Sequence, residues 1–355
     1  MSGIEEQLAG ILADPLGAAP EGGALGYVGL DIPPDLLLAA SGFARHLPWD
    51  SRAPATRAAA WLEGSFPPWA CAILEDWASG RFDRLEHVVF SRGEDACHRL
   101  YYYVCELQRL GRIAGPQPLI FDVARIPRES SRRHTVRSLS ELSERLGLDG
   151  RALRRGIERA NALRSAFARL RAQPDARGSL IERIVRASLF ADVRELVAQW
   201  APQPQEPRRR VALIGSAPPD DRIHRLIEHH GGCVVEDLHD RNLSRLGPAV
   251  DEGAGDPLAA IAHGWLEQRF WVRDFADPVA RVLEAIDASR VDVAILWLIR
   301  EDEGLAWHVP LLQEALRQAR VPTLALTARA WQFNDGADAQ IEEFLAMQAP
   351  AGGAR

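Results

Sequence analysis

The chain has 355 residues, enough for two or three domains of ordinary size. Its 47% hydrophobic and 26% charged residues exclude disorder as the main state, and its net charge of −7 lacks the concentrated positive charge that nucleic-acid binding needs. All 42 basic residues are arginine, which excludes a Schiff-base lysine and the lysine of a phosphate-binding P-loop.

The amino-terminal MSGIEEQLAG is acidic and lacks the basic and apolar regions of a signal peptide. No apolar stretch approaches the length of a membrane span. The cysteines are Cys71, Cys97, Cys105 and Cys233, with no CxxC pair among them. These features predict a cytoplasmic protein with reduced thiols and no membrane partner.

In chain order, ALGYVGLDIP (24–33) predicts a strand and DLLLAASG (35–42) a short helix. RLEHVVFSR (84–92) predicts a strand, 94–111 a helix, and PLIFDVAR (118–125) another strand. An arginine-rich helical stretch runs from about 138 to 200, and APQPQEP (201–207) reads as a linker. The strand RRRVALIGS (208–216) follows, then a helix (221–232) stopped by glycine and the strand GCVVEDL (232–238). Helices are expected at 257–269 and 278–289, a strand at 291–299, a helix at 309–322 and a last strand at 323–329. Strands as apolar as VDVAILWLI are covered on both faces, as in a parallel sheet flanked by helices. The expected fold is α/β: two Rossmann-like parallel-sheet domains joined by a helical segment. The domains are 1–130 and 206–355, with the helical segment and linker at 131–205. Two copies of a related unit fit this pattern.

Ligands of open α/β sheets bind beyond the carboxyl ends of the strands. In the first domain those ends carry Asp31, the run from Ser91 to Asp95, and Asp122. In the second they carry Gly215-Ser216, Glu236-Asp237, Arg300-Glu301-Asp302 and Thr327. Glu94, Asp95 and Asp302 are the candidate catalytic carboxylates, suited to acid–base work or to a hard cation, and equally suited to capping helices. Gly215 and Ser216 are candidate cofactor-binding residues, because the helix beyond them offers free N–H groups to an anion. Cys71 follows Phe66-Pro67-Pro68-Trp69-Ala70 at an expected helix start, where a thiolate is favoured. Cys97 and Cys105 fall two turns apart on one helix, too far for one metal, and read as core residues. Cys233 opens a buried strand. His224, His229 and His230 share a short helix with no acidic or cysteine partner and read as surface histidines. The basic run from Arg128 to Arg137, with Arg151, Arg154 and Arg155, suits either ligand phosphates or a solvated helical face.

Several segments resemble subunits of the 2-hydroxyacyl-CoA dehydratase and benzoyl-CoA reductase family. They are GYVGLDIPPDLLLAASGFARHL, HVVFSRGEDACHRLYYY, RVALIGSAPPDDRIHRLIEHHGGCVVEDL and VDVAILWLIREDEGLAWHVPLLQEALRQARVPTLAL, with the ending QIEEFLAM. The resemblance covers most of the chain in segment order. It implies a heterodimer with a paralogous subunit, an acyl-CoA ligand, cysteine-bound four-iron four-sulfur clusters and an ATP-dependent activator protein. This sequence departs from the family pattern at its ligands. Glu94-Asp95 stands where the family has cysteine-aspartate, and Glu301-Asp302 stands where it has phenylalanine-cysteine. Cys71 is the remaining counterpart of an early family cysteine. Clusters need soft thiolates, so the expectation is no cluster and no metal in this chain.

Three readings follow. The chain is a cluster-poor partner subunit contributing to an acyl-CoA pocket, or an independent carboxylate-based enzyme, or a non-catalytic acyl-CoA-binding or assembly protein. Glu94, Asp95 and Asp302 are expected near one another across an interdomain cleft, with the Glu94 and Asp302 carboxylates within about 15 Å.

Overall fold

The structure is a computed structural model describing residues 3–17, 24–40, 44–124, 126, 128–173, 177–200, 208–267 and 277–348. The chain divides into two compact units. Unit 1 comprises Met1–Arg169, Arg186–Trp200 and Ser244–Phe275; unit 2 comprises Leu170–Val185, Ala201–Leu243 and Ala276–Arg355. The arginine-rich helical stretch is shared out between them, and the linker 201–207 lies outside the described residues.

The first half of the chain runs α1 (Gly3–Ala13), β1 (Ala24–Val28), α2 (Pro34–Leu37), β2 (Arg45–His46), α3 (Thr56–Trp61), α4 (Pro68–Ala78), β3 (Leu85–Ser91), α5 (Asp95–Arg109) and β4 (Gln117–Phe121). Helices α6 (Glu129–Arg145), α7 (Gly150–Arg171), α8 (Gly178–Ala187) and α9 (Arg194–Gln199) follow. Then come β5 (Arg209–Gly215), α10 (Arg222–His229), β6 (Gly232–Leu238), α11 (Pro257–Glu267), α12 (Pro278–Ala288) and β7 (Val293–Ile299). The chain closes with α13 (Glu303–Ala306), α14 (Val309–Gln318), β8 (Thr323–Arg329) and α15 (Ala337–Met347).

Each unit is built on a four-stranded, all-parallel sheet, in the orders β2-β1-β3-β4 and β6-β5-β7-β8. The two orders are the same topology, second strand, first, third, fourth. The α/β class with two Rossmann-like sheets is therefore the architecture seen, and the related-unit pattern is seen in the strand order.

Side chains along β3 alternate between two apolar clusters of unit 1, as the pleat requires. Val88 and Phe90 enter one cluster with Trp77 of α4 and Leu100 and Val104 of α5. Val89 enters the other with Tyr27, Phe121, Leu142 of α6 and Ile157 of α7. In unit 2 every residue of β7 is buried, which is why its sequence lacks alternation. Local signals set the helix ends. The Asp277 carboxylate accepts from the N–H groups of Val279 and Ala280, at 2.9 and 3.4 Å, and Pro278 opens α12.

Three sequence expectations are corrected. The strand expected over 24–33 stops at Val28, because Gly29 takes φ +90° and turns the backbone out of the extended region. The helix expected over 35–42 is only Pro34–Leu37, with residues 41–43 outside the described set. The two-residue strand β2 was not anticipated, being too short to show a period.

Candidate functional site

The strand order of each sheet reverses between its first and third strands, and crevices at that point are the usual ligand sites. In unit 1 this point lies beyond β1 and β3. Val28 pairs with Phe90, and Ser91 with Phe121, so Asp31, the Ser91–Asp95 turn and Asp122 lie at one end of the sheet.

The turn after β3 is tightly built. Ser91 is fully buried, and its hydroxyl accepts from the Gly93 N–H at 3.1 Å. Asp31 is also fully buried. A Cβ placed on Gly93 would lie 1.7 Å from Asp31 Oδ2, so only glycine lets this turn close over that carboxylate. Arg92 donates to Asp122 at the end of β4, and His134 of α6 lies 3.1 Å from the same Asp122 oxygen. Gly93→Ala is expected to cost about 1–3 kcal/mol, as for other overpacked sites. Urea unfolding checks this; an unchanged midpoint would show that Asp31 moves aside at no cost.

Glu94 occupies the N-cap position of α5 without a side-chain capping bond, and Asp95 is the first helical residue. Asp95 is paired with Arg99 one turn on, at 3.2 Å, and Arg99 also bonds Glu63 at 2.7 Å. Glu94 and Asp95 place two carboxylates at the positive end of this helix. Asp302 belongs to unit 2, where it is the N-cap residue of the four-residue α13, again without a capping side-chain bond.

In unit 2, Gly215 has φ +124°, and a Cβ there would lie 2.4 Å from the Trp297 carbonyl oxygen. Ser216 is buried, with its N–H donating to Trp297 O at 2.8 Å and its hydroxyl accepting from Ile299 N–H at 3.0 Å. These two candidate cofactor residues knit β5 to β7. The helix expected at 221–232 is α10, which starts at Arg222, six residues beyond Ser216.

The cysteines are spread through both units. Cys97 is fully buried, and its sulfur would stand 2.9 Å from a Cβ on Gly29. Cys71 is the fourth residue of α4 and packs half-buried against the Trp77–Phe90 cluster. Burial pushes the thiols of Cys105 and Cys233 above their ordinary pKa. A cysteine-ligated iron–sulfur cluster needs thiolates converging on one point. Carboxylates stand at the β3–α5 turn, and Cys97, the third residue of α5, is packed into the core. Among the described residues no group of three or more His, Cys, Asp or Glu side chains is placed to hold a metal ion.

The chain matches the family model described as 2-hydroxyglutaryl-CoA dehydratase, D-component, over residues 31–347, most of its length. It belongs to this family. No curated protein matches it. As a member of the dehydratase D-component family, the chain places Glu94 and Asp95 at the amino end of α5 and Cys97 on its buried face. Among the described residues, no helix of this family member is long and apolar enough to cross a membrane.

The histidine reading is corrected. His229 is exposed, but His224 is fully buried and its Nε2 lies 3.0 and 3.1 Å from the two oxygens of Asp237 on β6. His239 Nε2 lies 3.4 Å from the same carboxylate. Burial alone would lower the His224 pKa, but the charge and hydrogen bond of Asp237 outweigh it and push it up to about 9. Burial likewise opposes ionisation of Asp237, and the charge and hydrogen bond of His224 outweigh that, holding it well below the usual carboxylate range. One signal was present in the sequence: Ile223, His224 and Ile227 share the buried face of α10 at helical spacing.

Proposed function

We propose that this chain is a cluster-poor partner subunit of a dehydratase-type complex, pairing with a paralogous subunit and contributing part of an acyl-CoA site. The observation that supports the reading is the β3–α5 turn of a dehydratase-family chain, which carries Glu94 and Asp95 where the resemblance implies cysteine-aspartate. Carboxylates are hard ligands and poor substitutes for thiolates at iron–sulfur centres. The paralogue supplies the cysteine-bound cluster, and an ATP-dependent activator supplies its electron. The solvated arginines of α6 and the start of α7, among them Arg132, Arg133, Arg151 and Arg155, offer charge to CoA phosphates.

The test is anaerobic purification of the chain alone and with a paralogue, followed by iron and sulfide analysis. The isolated chain is expected to hold no stoichiometric four-iron cluster after reconstitution, and Cys71→Ser is expected to leave its metal content unchanged. A brown isolated protein that loses its colour on Cys71→Ser would overturn the reading and make this the cluster-bearing subunit.

A further inference from the structure

Unit 2 holds a partly open cavity of about 120 Å³ beside β6, the edge strand of its sheet. Helix α8 approaches this strand so closely that a Cβ on Gly178 would lie 2.7 Å from the Val234 carbonyl oxygen. Val185 of α8 and Val234 of β6, both buried, belong to the apolar part of the lining. The polar part is organised by Ser289, the C-cap residue of α12. The Ser289 carbonyl accepts from Arg210 Nε at 2.7 Å, and the Ser289 hydroxyl donates to Glu236 Oε1. One residue therefore holds both a guanidinium and a carboxylate on the cavity lining. Among the described residues, neither of these two side chains enters an ion pair. Asp292 accepts from the Arg210 backbone N–H, at 2.7 Å, and not from its side chain.

We propose that this cavity binds a small free amino acid in its zwitterionic form. The lining carries three arginines, Arg171, Arg210 and Arg241, and three carboxylates, Glu182, Glu236 and Asp237. These charges balance, so the lining has no excess of either sign to draw in a simple anion or a simple cation. Arg241 donates to the Ala217 and Pro218 carbonyls at 2.8 and 2.7 Å, and Asp237 is held by His224. Arg210 and Glu236 instead stand fixed through Ser289 with opposite charges and no ionic partner. A ligand with one charge of each sign satisfies both at once. The planar guanidinium fork matches the ligand carboxylate, and the Glu236 carboxylate accepts from its ammonium. Charges that leave water on binding need partners of this kind. Size sets the rest of the ligand. An apolar cavity of roughly 150 Å³ takes benzene, so this one suits roughly six heavy atoms, the bulk of alanine. Val185 and Val234 suit a small alkyl side chain. The site lies wholly in unit 2 and is independent of the acyl-CoA reading above.

Ligand-observed NMR titration of the full chain with L-alanine, propionate and L-alaninamide tests the proposal. Propionate lacks the ammonium group, and alaninamide lacks the carboxylate. L-Alanine is expected to bind saturably and at least about tenfold tighter than either analogue, because each has lost one charge-assisted bond. Arg210→Met should weaken alanine binding at least about tenfold. Glu236→Gln keeps the bulk and an acceptor for the Ser289 hydroxyl while removing the charge. It should weaken alanine binding by a similar factor, and it serves where the Arg210 variant does not fold. The proposal is overturned if alanine does not saturate, or if propionate or alaninamide binds as tightly as alanine. A folded variant of either kind that binds alanine as the parent does also overturns it.

Discussion

Asp35→Ala is expected to destabilise unit 1 by about 3–5 kcal/mol, the usual cost of stranding one partner of a buried ion pair. The Asp35 side chain is 1% exposed and that of Arg164 8%. The two meet through parallel bonds of 2.8 and 2.7 Å, while Arg164 also bonds the Leu246 carbonyl at 3.0 Å and the Asn161 side chain at 2.8 Å. The pair fastens α2, a four-residue helix too short to stand by itself, to α7. Two further contacts show how closely these helices approach. A Cβ on Gly156 would lie 2.1 Å from the Asp35 carbonyl oxygen, and Arg159 donates to Leu38 O at 3.0 Å. Urea unfolding of Asp35→Ala, Arg164→Met and the double variant gives the measurement. The double variant should recover part of the loss, because no charge is then stranded. Single variants within about 0.5 kcal/mol of the parent, as for ordinary surface changes, would show that the pair is solvated.

The stability of unit 2 is expected to fall as pH rises from about 6.5 to 9. The folded-state pKa of His224, about 9, lies above the ordinary histidine value of 6.5. Its contribution is therefore complete below 6.5 and is lost as pH rises through about 9. A shift of that size corresponds to at most about 3 kcal/mol. Asp237 behaves in the opposite sense. Its folded pKa lies below the ordinary 3.8, so its contribution is present above that value and lost as pH falls through the depressed one. The pair thus contributes most between about pH 4 and 6.5. Chemical unfolding of the parent and of His224→Gln across pH 5–10 checks this. The parent should show the alkaline slope and the variant should lose it. Equal slopes would mean that His224 is not ionised beside Asp237.

Much of the chain was legible as sequence because its strands are short apolar runs punctuated by glycine and helical periods. VVF of β3 and AILWLI of β7 bury side chains on both faces, and that burial leaves a pattern that needs no partner to be read. The carboxylates at Glu94, Asp95 and Asp302 were placed at helix starts for the same local reason, and they are found there. Contacts between distant segments left no such trace. His224 is thirteen residues from Asp237, Asp35 is 129 from Arg164, and Glu236 is 53 from Ser289. Local spacing sets backbone conformation and exposed face. Which buried charges meet depends on how crossover helices pack on a parallel sheet, and only the tertiary structure decides that. So the α/β class and the helix-start carboxylates belong to the sequence. The ion pair that holds α2, the charged histidine of unit 2 and the cavity beside β6 belong to the fold, because burial gives a charge its energetic weight and burial is not a local property.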